Sequence, residues 1–328
     1  MIQRGNDFLG RPFLVSVSCS GVINMAMLPR HELGRTGFQV TRLGYGSMGI
    51  RGPRTWGVRV VSDADAEAIL NAVLDEGINL IDTAPDYGLS EERIGRFIGH
   101  RRAEFVLATK CGCDYHQADD HLEMTHTWTR DVVQRNLEQS LQRLRTDVID
   151  LLQFHGGDAR TLQQQGLIDL VRKFREQGLV RFIGVSSTLP ELTALLDLNV
   201  FDTVQLPYSC LAPEHRELMQ QAADAGVGVI VRGGIAHGGP DAEIQREALN
   251  KIWNAARLDE LLSPDMNRAE FILRATLSHP GCHTTIVGTC NLIHLKENIA
   301  AAMQGPFPET LMEEIQRRVA AVRNPEGS

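Results

Sequence analysis

Four side chains able to move a proton stand at or just past the ends of three successive apolar runs. Asp82 closes the run 78–81, Lys110 follows 105–108, His155 follows 148–154, and Tyr87 lies five residues beyond Asp82. Free tyrosine titrates at about 10, so a phenol exchanges protons poorly at neutral pH unless its surroundings shift it. A neighbouring ammonium favours the phenolate and lowers that value, and a carboxylate paired with the ammonium fixes its position. Asp82, Lys110 and Tyr87 supply such a chain, with His155 left to orient a carbonyl oxygen against the phenol. No serine or cysteine nucleophile is paired with a base in this set. The chemistry is proton delivery to an oxygen while a bound cofactor brings the electrons. Taken singly, each residue has a plainer reading: Asp82 as a turn residue, Lys110 as a solvated strand end, His155 as a hydrogen-bonded core histidine. Four such groups on three successive runs are harder to explain that way.

Residues this far apart in the chain meet only if their segments lie side by side. From Leu43 onward, short apolar runs at 43–46, 78–81, 105–108, 148–154, 182–185, 203–206, 227–231 and 284–287 alternate with helical patterns. Helices are expected over 63–76 with Ser62 as cap, 90–98, 129–144, 189–196, 213–225 and 292–303. Another opens at Ser263-Pro264-Asp265, with serine as cap and proline in the first turn, and an amphipathic helix at 306–322 ends the chain. In 129–144, Val132, Leu137, Leu141 and Leu144 approximate one apolar face. The run 148–154 is nearly continuous, as in a strand covered on both sides. Alternation of this kind predicts a parallel sheet, and eight units predict a single (β/α)8 TIM barrel with long loops at its C-terminal face. Residues just past the strand ends then face a common site, which adds Ser186 and Ser187 after the fifth strand, Gln205 on the sixth and Arg232 after the seventh. The rival is a doubly wound open sheet. Its nucleotide loop would be Gly44-Tyr45-Gly46-Ser47-Met48-Gly49, which lacks the third glycine at the required spacing and opens no helix.

Composition narrows the function classes. Of 328 residues, 43% are hydrophobic and 23% charged, which excludes a disordered, collagen-like or coiled-coil chain. A net charge of −8 without long runs of either sign argues against nucleic acid or an anionic membrane as partner. Cys19, Cys111, Cys113, Cys210, Cys282 and Cys290 are too sparse for a disulfide scaffold, and reduced thiols point to the cytoplasm. No apolar stretch reaches the roughly 18 residues of a membrane span. The segment 13–23 follows Arg4 and Arg11 like a short signal core, but it is serine-rich and Asn24-Met25-Ala26 is a poor cleavage site. Residues 1–28 are therefore expected as a disordered arm or a start placed too early, with Met25 or Met27 as the real one, and 29–328 as one domain.

With these elements in place, the motifs resemble the aldo-keto reductase family. The resemblance rests on Asn79-Leu80-Ile81-Asp82-Thr83-Ala84, Tyr87-Gly88-Leu89-Ser90-Glu91, Ala108-Thr109-Lys110, Ser140-Leu141-Gln142-Arg143-Leu144, Asp147-Val148-Ile149-Asp150-Leu151 and Gly184-Val185-Ser186, in order along nearly the whole chain. Leu33-Gly34-Arg35-Thr36-Gly37 resembles the N-terminal β-hairpin that closes the barrel bottom in that family. The resemblance implies an NAD(P)(H)-dependent oxidoreductase acting on carbonyls and alcohols. Tyr87 would be the acid in reduction and the base in oxidation, tuned by Lys110 and Asp82, with His155 positioning the substrate oxygen. Ser186, Ser187 and Gln205 would hold the carboxamide. Gly46 and Ser47 would lie near the ribose and pyrophosphate, and Thr289, Glu297 and Asn298 around the adenosine.

Three departures from the family pattern stand out. The asparagine often found after the carboxamide serine is Ser187, with a shorter reach. The aromatic residue that commonly stacks on the nicotinamide is Arg232, followed by Gly233; a guanidinium plane can stack on a ring or reach a phosphate. The Lys and Arg that often clamp the 2′-phosphate of NADP align with Gly288 and His294. NADP(H) is favoured as the family's habit, and NAD(H) stays open.

Other features are set lower. Cys111, Cys113, His116 and His121, with Asp114, Asp119 and Asp120 among them, have zinc-ligand chemistry, but a C-x-C without a second pair is a weak signal. The expectation is a polar rim loop and no metal. Trp56 and Trp128 are candidate walls of the substrate pocket. The insertion 233–262, with Gly233-Gly234 and Gly238-Gly239-Pro240, has the composition of a hinge over the cofactor. The rival functions are a cofactor-binding redox sensor or regulatory subunit with little turnover, and a metal-assisted hydrolase. The second would need more ligands at strand ends than Asp82 and His155. Neither the substrate nor the oligomeric state is legible.

Overall fold

The computed structural model describes residues 27–53, 60–118, 121–236 and 247–323. Most of the arm expected over 1–28, and Trp56, lie outside the described residues.

The chain opens with the antiparallel pair β1 (Arg30–Glu32) and β2 (Gln39–Thr41), Arg30 facing Thr41. The first half of the molecule is β3 (Leu43–Gly46), α1 (Asp63–Asp75), β4 (Leu80–Asp82), α2 (Ser90–Phe97), β5 (Val106–Cys111), β6 (Cys113–Ala118), β7 (His121–His126) and α3 (Arg130–Leu144). Next come β8 (Ile149–His155), α4 (Ala159–Gln164), α5 (Leu167–Glu176), β9 (Val180–Ser186), α6 (Glu191–Leu196), β10 (Thr203–Pro207), α7 (Arg216–Asp224) and β11 (Gly228–Arg232). The chain ends with α8 (Glu247–Ala255), α9 (Arg268–Leu277), β12 (Thr284–Val287), α10 (Leu292–Met303) and α11 (Glu309–Arg323). Strands β3, β4, β5, β8, β9, β10, β11 and β12 pair in that order, all parallel, and β12 returns to β3 to close the barrel. Helices surround it, so this is the expected (β/α)8 architecture.

The β1–β2 hairpin plugs the barrel bottom. Leu33 and Val40 pack with Leu80, Ala108, Leu151 and Ile230, which point into the barrel. The backbone passes so close that a Cβ on Gly34, at φ +51°, would sit 2.2 Å from the Gly228 nitrogen. Arg35 ties the turn down by donating to the Ala225 carbonyl at 2.6 Å. The main core fills the space between strands and helices. A second cluster, with Trp253 and Phe271 at its centre, seats α8, α9 and α11 on one flank. Part of the insertion after β11 is therefore packed through the buried Trp253; residues 237–246 are not described.

Local signals explain most boundaries. Ser62 accepts from the Asp65 amide at 3.1 Å and Thr129 from the Val132 amide at 3.4 Å, the capping that starts α1 and α3. Two expectations are corrected. Ser263-Pro264-Asp265 opens no helix: it forms a turn in which the Met266 amide donates to the Ser263 carbonyl, and Asn267 caps α9 instead, accepting from the Glu270 amide at 2.9 Å. Asparagine is an equally good cap, and the turn uses the fixed φ of proline before the helix starts. The polar segment after Lys110 is not a plain loop but the β6–β7 hairpin, in register from Cys113↔His126 to Ala118↔His121. Among the described residues, no helix is long and apolar enough to cross a membrane.

Candidate active site

The ends of adjacent parallel strands bring the expected residues together. Asp82 ends β4, Lys110 lies near the end of β5, His155 ends β8, Ser186 ends β9, Gln205 lies within β10 and Arg232 ends β11. Asp82 and Lys110 are buried almost completely. The Lys110 ammonium donates to Asp82 Oδ2 at 2.7 Å and to the Thr83 carbonyl at 2.8 Å. The other carboxylate oxygen, Oδ1, accepts from Gln153 Nε2 at 3.0 Å and from Gln205 Nε2 at 2.8 Å. Gln205 in turn accepts from Ser186 Oγ at 2.8 Å. This network crosses five strands and leaves the ammonium 5.0 Å from the centre of the Tyr87 ring. Gln153 is a participant that sequence reading missed, although it is the one amide in β8. Its Oε1 is buried with no partner among the described residues.

The electrostatics follow from burial and pairing. Burial alone would push the Lys110 ammonium down, but the Asp82 carboxylate and the Tyr87 phenol more than offset it and hold it above its ordinary value. It is a permanent cation. For Tyr87 the balance runs against the expectation from sequence. Burial pushes the phenol up, the Lys110 charge reverses this only in part, and the net direction is up. Tyr87 in this state is a neutral phenol, a proton donor rather than a phenolate.

The loop carrying Tyr87 is pinned from below. Ser47 Oγ donates to the Asp82 carbonyl at 2.8 Å, and Ser90 Oγ donates to Ser47 Oγ at 2.7 Å. Ser47 is fully buried, so it braces this loop instead of presenting its hydroxyl at the mouth. Glu91, also buried, accepts from Thr109 Oγ1 at 2.7 Å and Ser140 Oγ at 2.6 Å, fastening α2 to β5 and α3.

His155 stands on the far side of Tyr87, ring centres 6.4 Å apart and nearly perpendicular. Its Nδ1 faces His126 Nε2 at 3.1 Å, Cys113 Sγ at 3.3 Å and Asp86 Oδ2 at 3.3 Å. Burial would raise the Asp86 carboxyl, but the two histidines hold it well below the usual carboxylate range. Burial lowers His155. The set of thiols and imidazoles grouped by sequence is thus rearranged: Cys111 is buried in the core, His116 is exposed on β6, and Cys113 turns toward the mouth, with Asp86 and His126 as neighbours sequence reading did not name. Trp128 stacks on His126, planes 15° apart, and fills the space left by Gly112, Gly156 and Gly157.

The remaining candidates form a second surface. Ser187 is buried beside Ser186, and its amide donates to the Gln205 carbonyl at 3.0 Å. Arg232 is half-buried; its carbonyl accepts from the Tyr208 amide at 3.2 Å, and its guanidinium has no hydrogen-bond or ion-pair partner among the described residues. Burial lowers it, and the Asp82 carboxylate offsets this only in part. Gly233 follows with φ +71°. Gly288 is exposed at the end of β12, and a Cβ there would meet the Gly46 carbonyl at 2.9 Å. Thr289 accepts through its carbonyl from the Tyr45 hydroxyl at 3.0 Å, and Asn291 caps α10. His294 and Glu297 are exposed on α10, whereas Asn298 is buried.

A family model for the aldo/keto reductases matches residues 42–319. The chain belongs to the aldo/keto reductase family. It is an oxidoreductase, and the family works with a nicotinamide nucleotide. Among its relatives, YqkF, an uncharacterized oxidoreductase of Bacillus subtilis, is 26% identical over 88% of this chain and 95% of its own. The L-galactose dehydrogenase of Arabidopsis thaliana is 27% identical over 88% of this chain and 94% of its own. The aldo-keto reductase AKR11C1 from Bacillus halodurans, in its holo form, superposes with a TM-score of 0.75 at 26% identity, covering 89% of this chain and 96% of its own.

Proposed function

We propose that this aldo-keto reductase reduces aldehydes or ketones to alcohols, or runs the reverse reaction, with Tyr87 as acid or base and His155 orienting the substrate oxygen. The observation that carries this is the buried Lys110–Asp82 pair beneath Tyr87, with the ammonium 5.0 Å from the phenol ring.

The donor set fits a nicotinamide nucleotide. Ser186 and Gln205 form a hydroxyl–amide pair suited to a carboxamide, and the Arg232 guanidinium, without a partner among the described residues, lies one strand further on. The exposed first turns of α10, beside Gly288, offer backbone amides to a phosphate group. When bound, the nucleotide supplies or accepts the hydride. The protein's share is proton chemistry and position. The neutral Tyr87 phenol donates to an oxygen that gains charge, and the fixed Lys110 ammonium stabilises the phenolate left behind. Asp82, held by Gln153 and Gln205, keeps that ammonium from moving toward the substrate. His155 fixes the oxygen's direction, and Trp128 and the β6–β7 hairpin shield the mouth from water.

NADP(H) is the nucleotide we favour, with the 2′-phosphate at Gly288 and His294. The Arabidopsis relative is named for a sugar, and the polar mouth of this chain suits hydroxyl-rich carbonyls. The catalytic domain is read as 29–328. Reduced thiols at Cys111, Cys113, Cys210 and Cys282 suit the cytoplasm.

Tryptophan fluorescence during titration with NADPH and, separately, NADH tests the reading. Saturable quenching by one or both is expected, followed by turnover on an aldehyde panel. If neither binds, the reading is withdrawn. Tight binding with no turnover would favour the sensor reading instead.

A further inference from the structure

Four potential ligand atoms converge beside Tyr87: Asp86 Oδ2, Cys113 Sγ, His126 Nε2 and His155 Nδ1, all within 4.8 Å of one another. They come from three separate parts of the chain. Asp86 lies in the loop after β4, His155 ends β8, and Cys113 and His126 are register partners at the barrel end of the β6–β7 hairpin. Ligands of a tetrahedral zinc ion, at about 2.0–2.3 Å from the metal, stand about 3.3–3.8 Å from each other. Here His155 Nδ1 lies 3.1 Å from His126 Nε2, 3.3 Å from Cys113 Sγ and 3.3 Å from Asp86 Oδ2, and His126 Nε2 lies 3.5 Å from Asp86 Oδ2. These four separations are nearly those of a coordination shell.

Hydrogen bonding alone does not satisfy it. One ring nitrogen, His155 Nδ1, faces three polar atoms. If it carries a proton for Asp86 and His126 Nε2 accepts, the His126 ring holds its own proton on Nδ1, and its Nε2 lone pair then faces the same carboxylate at 3.5 Å. If it accepts, its lone pair faces the Asp86 carboxylate. A divalent cation at the centre turns all four groups into acceptors of one partner. A second observation points the same way: Asp86 is buried, and its Oδ1 has no hydrogen-bond partner among the described residues. A buried carboxylate left half unsatisfied calls for a nearby cation.

We propose that Asp86, Cys113, His126 and His155 bind a divalent metal ion of the zinc class. One thiolate, two imidazoles and one carboxylate are a borderline-soft set that suits zinc and disfavours magnesium or calcium. Trp128, stacked on His126, sets the ring's orientation. All four protein ligands are supplied, so the site is closed. The ion fastens the rim hairpin to the barrel end instead of activating water. With Nδ1 on the metal, the proton of His155 is confined to Nε2, the atom left to meet a substrate oxygen; this consequence rests on the function proposed above, whereas metal binding does not.

The full-length protein, treated with a chelator and without nucleotide or substrate, is titrated with cobalt(II) and then zinc(II). One equivalent of cobalt is expected to produce tetrahedral d–d bands and a thiolate-to-cobalt charge-transfer band, both removed by zinc. Cys113→Ser should abolish the charge-transfer band while Cys111→Ala keeps it. His126→Gln, on the half-exposed hairpin, should weaken zinc binding at least about tenfold, since disturbing even the outer partners of a metal site costs about 10–100-fold. No tetrahedral spectrum, a charge-transfer band that survives Cys113→Ser, or unchanged zinc affinity in His126→Gln would each overturn the proposal. Because no step requires turnover, these results stand apart from success or failure of the carbonyl reaction.

Discussion

Replacing Lys110 with methionine removes the ammonium at the centre of the site while keeping most of the side-chain volume. Two buried acceptors then lose their donor, Asp82 Oδ2 at 2.7 Å and the Thr83 carbonyl at 2.8 Å. Asp82 keeps only Gln153 and Gln205, both on its other oxygen. Both partners of the pair are about 1% exposed, so water cannot take the place of the ammonium without opening the barrel end. Breaking a buried pair in this way costs about 3–5 kcal/mol. At about 1.5 °C per kcal/mol for a chain of this size, the melting temperature should fall by about 4–8 °C. Thermal and urea unfolding of Lys110→Met, Asp82→Asn and the double variant measure this. The double variant should recover at least about 1.5 kcal/mol relative to the sum of the singles, since the charge left uncompensated in Lys110→Met is gone. Additive losses, or a Lys110→Met protein as stable as the parent, would refute the reasoning. Either result would mean that the pair does not hold the site together.

Tyr87→Phe should lower kcat by about 100- to 10,000-fold, the range for loss of a general acid, while NADPH affinity stays within about twofold; lost nucleotide affinity would assign Tyr87 a structural role. Gly34→Ala should destabilise the barrel bottom by about 1–3 kcal/mol, because the new Cβ meets the Gly228 backbone at φ +51°, yet leave kcat and KM unchanged. Stability should also fall in mild acid. His279 Nδ1 accepts from the Gly281 amide, and burial with the nearby Arg216 charge pushes this histidine down to about 4. The unfolded chain takes up the proton from about pH 6.5 downward while the fold resists it. The contribution is therefore whole above pH 6.5 and is lost as pH drops toward about 4. Urea midpoints at pH 7 and pH 5 should differ less in His279→Gln; an equal difference would remove His279 as the cause. Finally, His294→Arg on exposed α10 should raise the NADPH:NADH affinity ratio about fivefold, equivalent to about 1 kcal/mol; an unchanged ratio would move the 2′-phosphate elsewhere.

The barrel was legible because its strands obey the simplest physics. A run such as 148–154, which becomes β8, is apolar along almost its whole length because it is covered on both faces, and the caps Ser62 and Thr129 act on residues three places away. Signals of that range survive in a sequence. The start of α9 was misread because Ser263 and Asn267 carry equally good capping chemistry, and packing decided between them. The β6–β7 hairpin was hidden because its strands are predominantly polar and its pairing extends from a rim rather than a core. At the site, Asp82, Lys110 and His155 were found as polar ends of apolar runs, and Tyr87 five residues beyond Asp82. Gln153 and Glu91 were not singled out, since a buried amide or carboxylate looks like a surface residue until its partners are known. Asp86 and His126 were invisible for a further reason: what distinguishes them is their meeting with Cys113 and His155 across three distant segments, and no local spacing records it.

The central claim is that this site passes a hydride to a carbonyl carbon while Tyr87 delivers the proton. Reduction of an aldehyde with nucleotide deuterated at the transferring nicotinamide carbon tests it most directly, with the alcohol analysed for label. The account predicts one deuterium on the former carbonyl carbon for each nucleotide oxidised, and loss of this transfer in Tyr87→Phe despite intact nucleotide binding. Alcohol formed without label, or labelled alcohol produced by Tyr87→Phe at the rate of the parent, would contradict it.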